Sequence, residues 1–113
     1  MEIRTKRVYE EPSDDDGYRV LVDRLWPRGL SKERARVDLW AKEVAPSAEL
    51  RKEFHHEGLD FDAFVVRYNL ELDENPAVGE LARQLAGHDV VTLLYAMNSA
   101  DQNHAPLLRR RLL

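Results

Sequence analysis

The segment Val90-Val91-Thr92-Leu93-Leu94-Tyr95 constrains this chain more than any other. It carries no charge and does not alternate polar with apolar residues. On a half-solvated sheet every second side chain would face water, so such a run reads as a strand buried on both faces. Strands of that kind belong to parallel sheets covered by helices. A second run, Val20-Leu21-Val22 within residues 18–23, has the same character.

The intervening sequence supplies the helices. Ile3 to Tyr9 reads as a first strand, and Ser13-Asp14-Asp15-Asp16-Gly17 as an exposed turn. The link across that turn has no helical period, so the direction of the first strand stays open. Ser31 caps a short helix through about Ala35, and a strand from Val37 to Val44 follows. Ser47 caps a helix that places Leu50 and Phe54 on one side. Phe61, Phe64, Val65, Tyr68 and Leu72 keep helical spacing over about Asp60 to Leu72. Asn75 and Pro76 fit an N-cap and first position, with Gly87 at the stop. After the strand Asp89 to Ala96, any of Asn98, Ser99, Asp101 or Asn103 can cap a last helix. Its basic end, Arg109-Arg110-Arg111, complements the helix dipole. Alternating strands and helices predict an α/β fold: a single domain over 1–113, with a mostly parallel sheet of about four strands flanked by helices in a three-layer, Rossmann-like arrangement.

At 113 residues and 43% hydrophobic content the chain can fill one core. It has no cysteine, and hence no disulfide, thiol nucleophile or thiolate metal site. The N-terminal residues lack the apolar core of a signal peptide, and no run reaches the roughly 18 apolar residues that span a bilayer. The expected location is the cytoplasm, away from membranes. A net charge of -4 argues against nucleic acid as a partner. The charge is uneven, however: residues 24–36 hold Arg24, Arg28, Lys32, Arg34 and Arg36 against Glu33 alone.

In open parallel sheets, ligands bind beyond the carboxyl ends of the strands. Three turns qualify here. The first offers Arg24, Trp26, Arg28 and Ser31, the second Lys42 and Ser47, and the third Tyr95, Asn98 and Ser99 with Asn103 and His104 after them. If their strands are parallel neighbours, these groups share one rim. Guanidinium, ammonium, hydroxyl and helix-start N–H groups all favour phosphate or carboxylate. In the competing reading Arg24 and Arg28 pair with Asp23, Asp38 or Glu43 and Trp26 only packs. The sequence has no phosphate loop, no dinucleotide loop and no nucleophile elbow, so no cofactor is assigned. Of the four histidines, His56 and His104 are the candidates for proton transfer. His55 and His56 are adjacent and point apart, and no metal site is assigned.

The segment YRVLVDRLWPRGLSK over residues 18–32 closely resembles the YeaO-like family, domain of unknown function 488. Asp38-Leu39-Trp40, Ala45-Pro46-Ser47, Leu50-Arg51 and the closing LLYA with Asn103-His104-Ala105 extend the likeness over nearly the whole chain. The resemblance implies a small cytosolic α/β protein with no settled biochemical activity. The family's motif residues fall on Arg24, Trp26, Pro27, Arg28, Gly29, Lys42, Pro46, Ser47, His56, Tyr95, Asn103 and His104. Glu53 and Phe61 stand where similar proteins carry tryptophan, His55 where glycine is usual, and Pro106 where an aliphatic residue is usual. Neither a glycine-rich methyl-donor loop nor a helix-turn-helix is present to support the methyltransferase or regulator labels that some similar proteins carry.

These observations predict a protein that holds a small anionic ligand at the strand-end rim, with catalysis left open. Arg24, Arg28 and Lys42 supply positive charge, Ser47 and its helix N-terminus donate hydrogen bonds, Trp26 or Tyr95 forms a wall, and Asn103 contributes a polar contact. The alternatives are a non-catalytic interaction module that uses the basic turn, and nucleic-acid binding through that turn and Arg109–Arg111.

Overall fold

The computed structural model describes residues 1–113. Four strands form one sheet: β1 (Glu2–Arg7), β2 (Tyr18–Leu21), β3 (Leu39–Trp40) and β4 (Val90–Tyr95). Their order is β1-β4-β2-β3 and every pairing is parallel. The α/β fold with a parallel sheet is therefore as the sequence indicates, and β1, whose direction was open, lies parallel to β4. The helices are α1 (Lys32–Ala35), α2 (Ala48–His56), α3 (Phe61–Asp73), α4 (Pro76–Leu85) and α5 (His104–Leu112). No helix is long and apolar enough to cross a membrane.

The strands alternate cleanly between two unequal faces. Ile3, Val20, Val22, Val91, Leu93 and Tyr95 pack with Leu50, Phe64, Tyr68, Leu72, Leu81, Leu85 and Leu108 from α2 to α5. Each of these buried side chains contributes roughly 1.5–3 kcal/mol, so this face holds most of the stability. The opposite face carries a small cluster of Val8, Leu21 and Leu94 under Trp26 and Leu30. It also carries the buried polar residues Asp16, Arg19 and Thr92. Only α1, a 3-10 turn at Asp14–Asp16 and loops cover it.

Side-chain caps start the helices where the sequence places them. Ser31, Ser47, Asp60, Asn75 and Asn103 each accept a backbone N–H of the first turn. Among the four candidate caps for α5 the structure uses Asn103, which fits the limit set by Pro106, since a proline tolerates only the first turn of a helix.

The third strand is shorter than the predicted Val37 to Val44. Only Leu39 and Trp40 pair, with Val20 and Leu21. The backbone then bends at Ala41 (φ -96°, ψ 58°) into a 3-10 turn at Lys42–Val44. Val44 is turned into the helical core, where its carbonyl accepts the Tyr68 hydroxyl at 2.7 Å. That bond to α3 replaces the sheet pairing a longer strand would have made. Gly17 is required at the start of β2: its φ is +65°, and a Cβ there would lie 2.2 Å from the Val90 carbonyl oxygen.

Candidate anion-binding site

Because β1, β4 and β2 are parallel neighbours, their carboxyl ends open on one side of the molecule. A cavity of about 550 Å³ lies there, on the helical face. Its apolar wall is Phe54, Phe64 and Met97, and its polar wall is built from Arg7, Arg24 and Arg51 with Asp23, His55 and His104.

Each arginine is placed by the fold. Arg7 ends β1 on the helical face, and its Nε donates to the carbonyls of Ala96 and Met97, both at 3.1 Å. Its guanidinium lies 4.7 Å from the ring centre of Tyr9. Arg24 follows β2 and donates to Ala45 at 3.2 Å and Pro46 at 3.3 Å. Arg51, one turn into α2, makes no ion pair. None of the three has a carboxylate within salt-bridge distance. Backbone carbonyls orient Arg7 and Arg24 without cancelling their charge.

The single carboxylate of the cavity wall is already engaged. Asp23 accepts the Ala96 N–H at 2.9 Å through Oδ2, and its Oδ1 lies 3.2 Å from His104 Nε2. The same Nε2 is 2.9 Å from the Val22 carbonyl oxygen, and Tyr68 packs edge-on to the His104 ring. On the opposite wall burial lowers the pKa of His55, Arg51 lowers it further, and Asp23 opposes them.

The structure brings only some of the sequence-derived residues here. Arg24 and His104 line the cavity, and Asn98 and Ser99 stand at its edge. Of the competing reading, the ion pairs of Arg24 and Arg28 with Asp23, Asp38 or Glu43 do not form, whereas Trp26 packs as that reading has it. Ser47 does not face the cavity. Its N–H and hydroxyl donate to Glu71 at 2.9 and 2.6 Å, so the start of α2 already holds a carboxylate from α3.

Tyr95 is in the helical core, where burial pushes its hydroxyl pKa up, with Glu10 adding to the effect. Asn103 is fully buried as the α5 cap, its amide donating to Ser99 and Ala100. Trp26 lies over the thinner face, edge-on to Trp40. Lys42 covers the Trp40 ring at 4.9 Å. Arg28 is exposed, and its carbonyl accepts the Tyr9 hydroxyl at 2.8 Å. His56 is exposed at the end of α2, outside the cavity. Nowhere do three or more His, Asp or Glu side chains converge on a metal-sized site.

Sequence reasoning passed over Arg7, Tyr9, Asp23, Arg51 and His55. Arg7 and Tyr9 needed the direction of β1. Arg51 was visible as the residue four positions after the Ser47 cap, a spacing that sets it one turn above the rim.

A family profile described as the inactive DUF488-N3 subclade matches residues 2–113. The chain belongs to the DUF488 family. Among DUF488 relatives, an uncharacterised protein of Mycobacterium tuberculosis, Rv3073c, is 47% identical over 110 residues, which cover 97% of this chain and 92% of that one. The uncharacterised protein YeaO of Escherichia coli is 45% identical over 108 residues, 96% of this chain and 94% of that one. No solved structure matches this DUF488 chain.

Proposed function

We propose that this DUF488 protein is a cytoplasmic binder of a small phosphate- or carboxylate-bearing molecule, which it holds in the cavity between Arg7, Arg24 and Arg51 without transforming it. The observation that carries the reading is the neutralisation pattern: three guanidinium groups border one cavity and none has a carboxylate partner. Placing like charges together without counter-charge costs stability, and an anionic guest removes that cost. Phe54, Phe64 and Met97 add an apolar wall, which suits a guest with a carbon skeleton over a bare ion. The word "inactive" in the subclade's description favours binding over turnover. The site also lacks an activated nucleophile: Ser99, the one hydroxyl besides Tyr9, accepts the Gln102 N–H.

Thermal unfolding across a panel of organic phosphates and carboxylates tests this. A guest at about 100 times its Kd is expected to add about 2.7 kcal/mol, which raises Tm by on the order of 10 °C. Arg51→Ala is expected to lose most of that rise. Flat melting curves across the panel would overturn the reading.

A second reading rests on Arg28, Lys32, Arg34 and Arg36, all exposed and all without a carboxylate partner. They suit docking of an acidic protein surface. Loss of a captured partner on Arg34→Glu with Arg36→Glu, together with flat melting curves, would select it.

A further inference from the structure

We infer that the cavity selects anions that also carry a hydroxyl, and that His104 reads that hydroxyl. The inference rests on the anion-binding reading above and specifies its ligand class as hydroxylated phosphates or carboxylates. It starts from the tautomer of one ring. His104 is 7% exposed, and its Nε2 lies between the Val22 carbonyl oxygen at 2.9 Å and Asp23 Oδ1 at 3.2 Å. A carbonyl and an ionised carboxylate only accept, so Nε2 must carry the proton. In the neutral imidazole the lone pair is then on Nδ1.

That atom has no hydrogen-bond partner in the chain, yet it is not among the sealed, unpartnered polar atoms. It is therefore within reach of solvent, and the cavity is the surface to which His104 contributes. The fold fixes the ring from three sides: Asn103 starts α5 beneath it, Tyr68 packs on it edge-on at 5.9 Å, and Val22 with Asp23 hold Nε2. The result is a rigid acceptor in a wall otherwise dominated by donors. Arg7, Arg24 and Arg51 can satisfy the oxygens of a phosphate or carboxylate, but a guanidinium cannot accept from a hydroxyl. Asp23 spends Oδ2 on the Ala96 N–H and Oδ1 on His104, and the other acceptors of the wall, on Tyr9, His55 and Asn98, belong to exposed side chains that the fold does not hold as it holds His104. A guest that brings only an anionic group leaves the Nδ1 lone pair unmet in a largely buried position, whereas a guest with an added hydroxyl satisfies it.

The test compares sn-glycerol 3-phosphate with propyl phosphate at pH 8 by calorimetric titration, since the two share charge and chain length and differ in hydroxyls. Wild type is expected to bind the hydroxylated compound on the order of tenfold more tightly, the worth of one added hydrogen bond. His104→Gln keeps an N–H at the Nε2 position for the Val22 carbonyl and takes the acceptor away from the Nδ1 position, its own amide oxygen lying elsewhere, so the ratio should fall to about one. Arg28→Ala, outside the cavity, should keep the wild-type ratio. Should the Gln variant fold poorly, the histidine-ring ¹⁵N spectrum of wild type supplies the same answer: the His104 Nδ1 resonance moves with glycerol 3-phosphate and stays with propyl phosphate. Equal binding of the two compounds by wild type, or a preference that His104→Gln retains, overturns this inference and leaves anion binding standing. Absence of binding by either phosphate and by every anion of the panel overturns both.

Discussion

Two groups of basic residues stand on opposite faces of the same sheet and are neutralised in opposite ways. On the thinner face Lys6 and Arg19 close around Asp16, which is 5% exposed and also accepts the Ser13 N–H. Arg19 spends its remaining donors on the Ala35 and Arg36 carbonyls. On the helical face Arg7, Arg24 and Arg51 border a cavity with no carboxylate of their own. The first group joins β1, the 3-10 turn and β2 where no large helix covers them, and it is complete. The second is held in place but left with its charge unspent, which is what a binding surface requires and a structural staple does not.

The largest expected effect lies on the completed side. Asp16→Ala strands the Arg19 guanidinium, itself 4% exposed, and removal of one member of a buried pair costs about 3–5 kcal/mol. Chemical denaturation would show it, and a loss below about 1 kcal/mol would mean that the network is not a staple.

Acid should reach the same place next. Burial alone would raise the pKa of Asp16, but the Ser13 N–H, Lys6 and Arg19 outweigh it, and the net value lies below the ordinary 3.8. A carboxyl whose folded pKa is depressed adds stability above its unfolded pKa and loses it as pH falls through the folded one. Unfolding free energy should therefore fall as pH drops below about 3.8, and Asp16→Asn should flatten that part of the profile. A profile that Asp16→Asn leaves unchanged would remove Asp16 from the acid response.

The rim should respond in the reverse sense. Arg51→Ala removes no ion pair, so its stability should change by less than about 0.5 kcal/mol while the melting rise with organic anions disappears. A single variant that keeps the fold and loses the guest is what separates the two groups.

Much of the fold could be read before any coordinates. The uncharged run Val90–Tyr95 announced a buried strand, and Ser31, Ser47 and Asn75 marked three helix starts, with Asn103 one of four residues offered for the last, because burial on both faces and unsatisfied first-turn N–H groups leave local signatures. The strand around Leu39 was overextended because its pattern gives no sign that Val44 is drawn out of the sheet by Tyr68. The unequal faces were hidden as well, since the Lys6–Asp16–Arg19 network joins residues that look like ordinary surface charges.

Strand polarity pointed to the strand-end rim, and of the residues it singled out Arg24 and His104 line the cavity there. It could not tell which side chains turn inward. Tyr95 and Arg7 end paired strands on the same face, yet one is buried in the core and the other reaches the cavity edge. Ser47 carries a capping signal that a distant carboxylate, Glu71, also answers. Such pairings depend on long-range packing and leave no local trace.

The central claim, that the rim arginines lack a counter-charge inside the protein, has a direct test in the unfolding free energy of Asn98→Asp in a low-salt buffer free of multivalent anions. The new carboxylate stands at the cavity edge, so a gain of about 0.5 kcal/mol over wild type is expected from the added ion pairing. Unchanged or reduced stability would show that the three charges are already balanced, and the cavity would lose its reason to bind an anion.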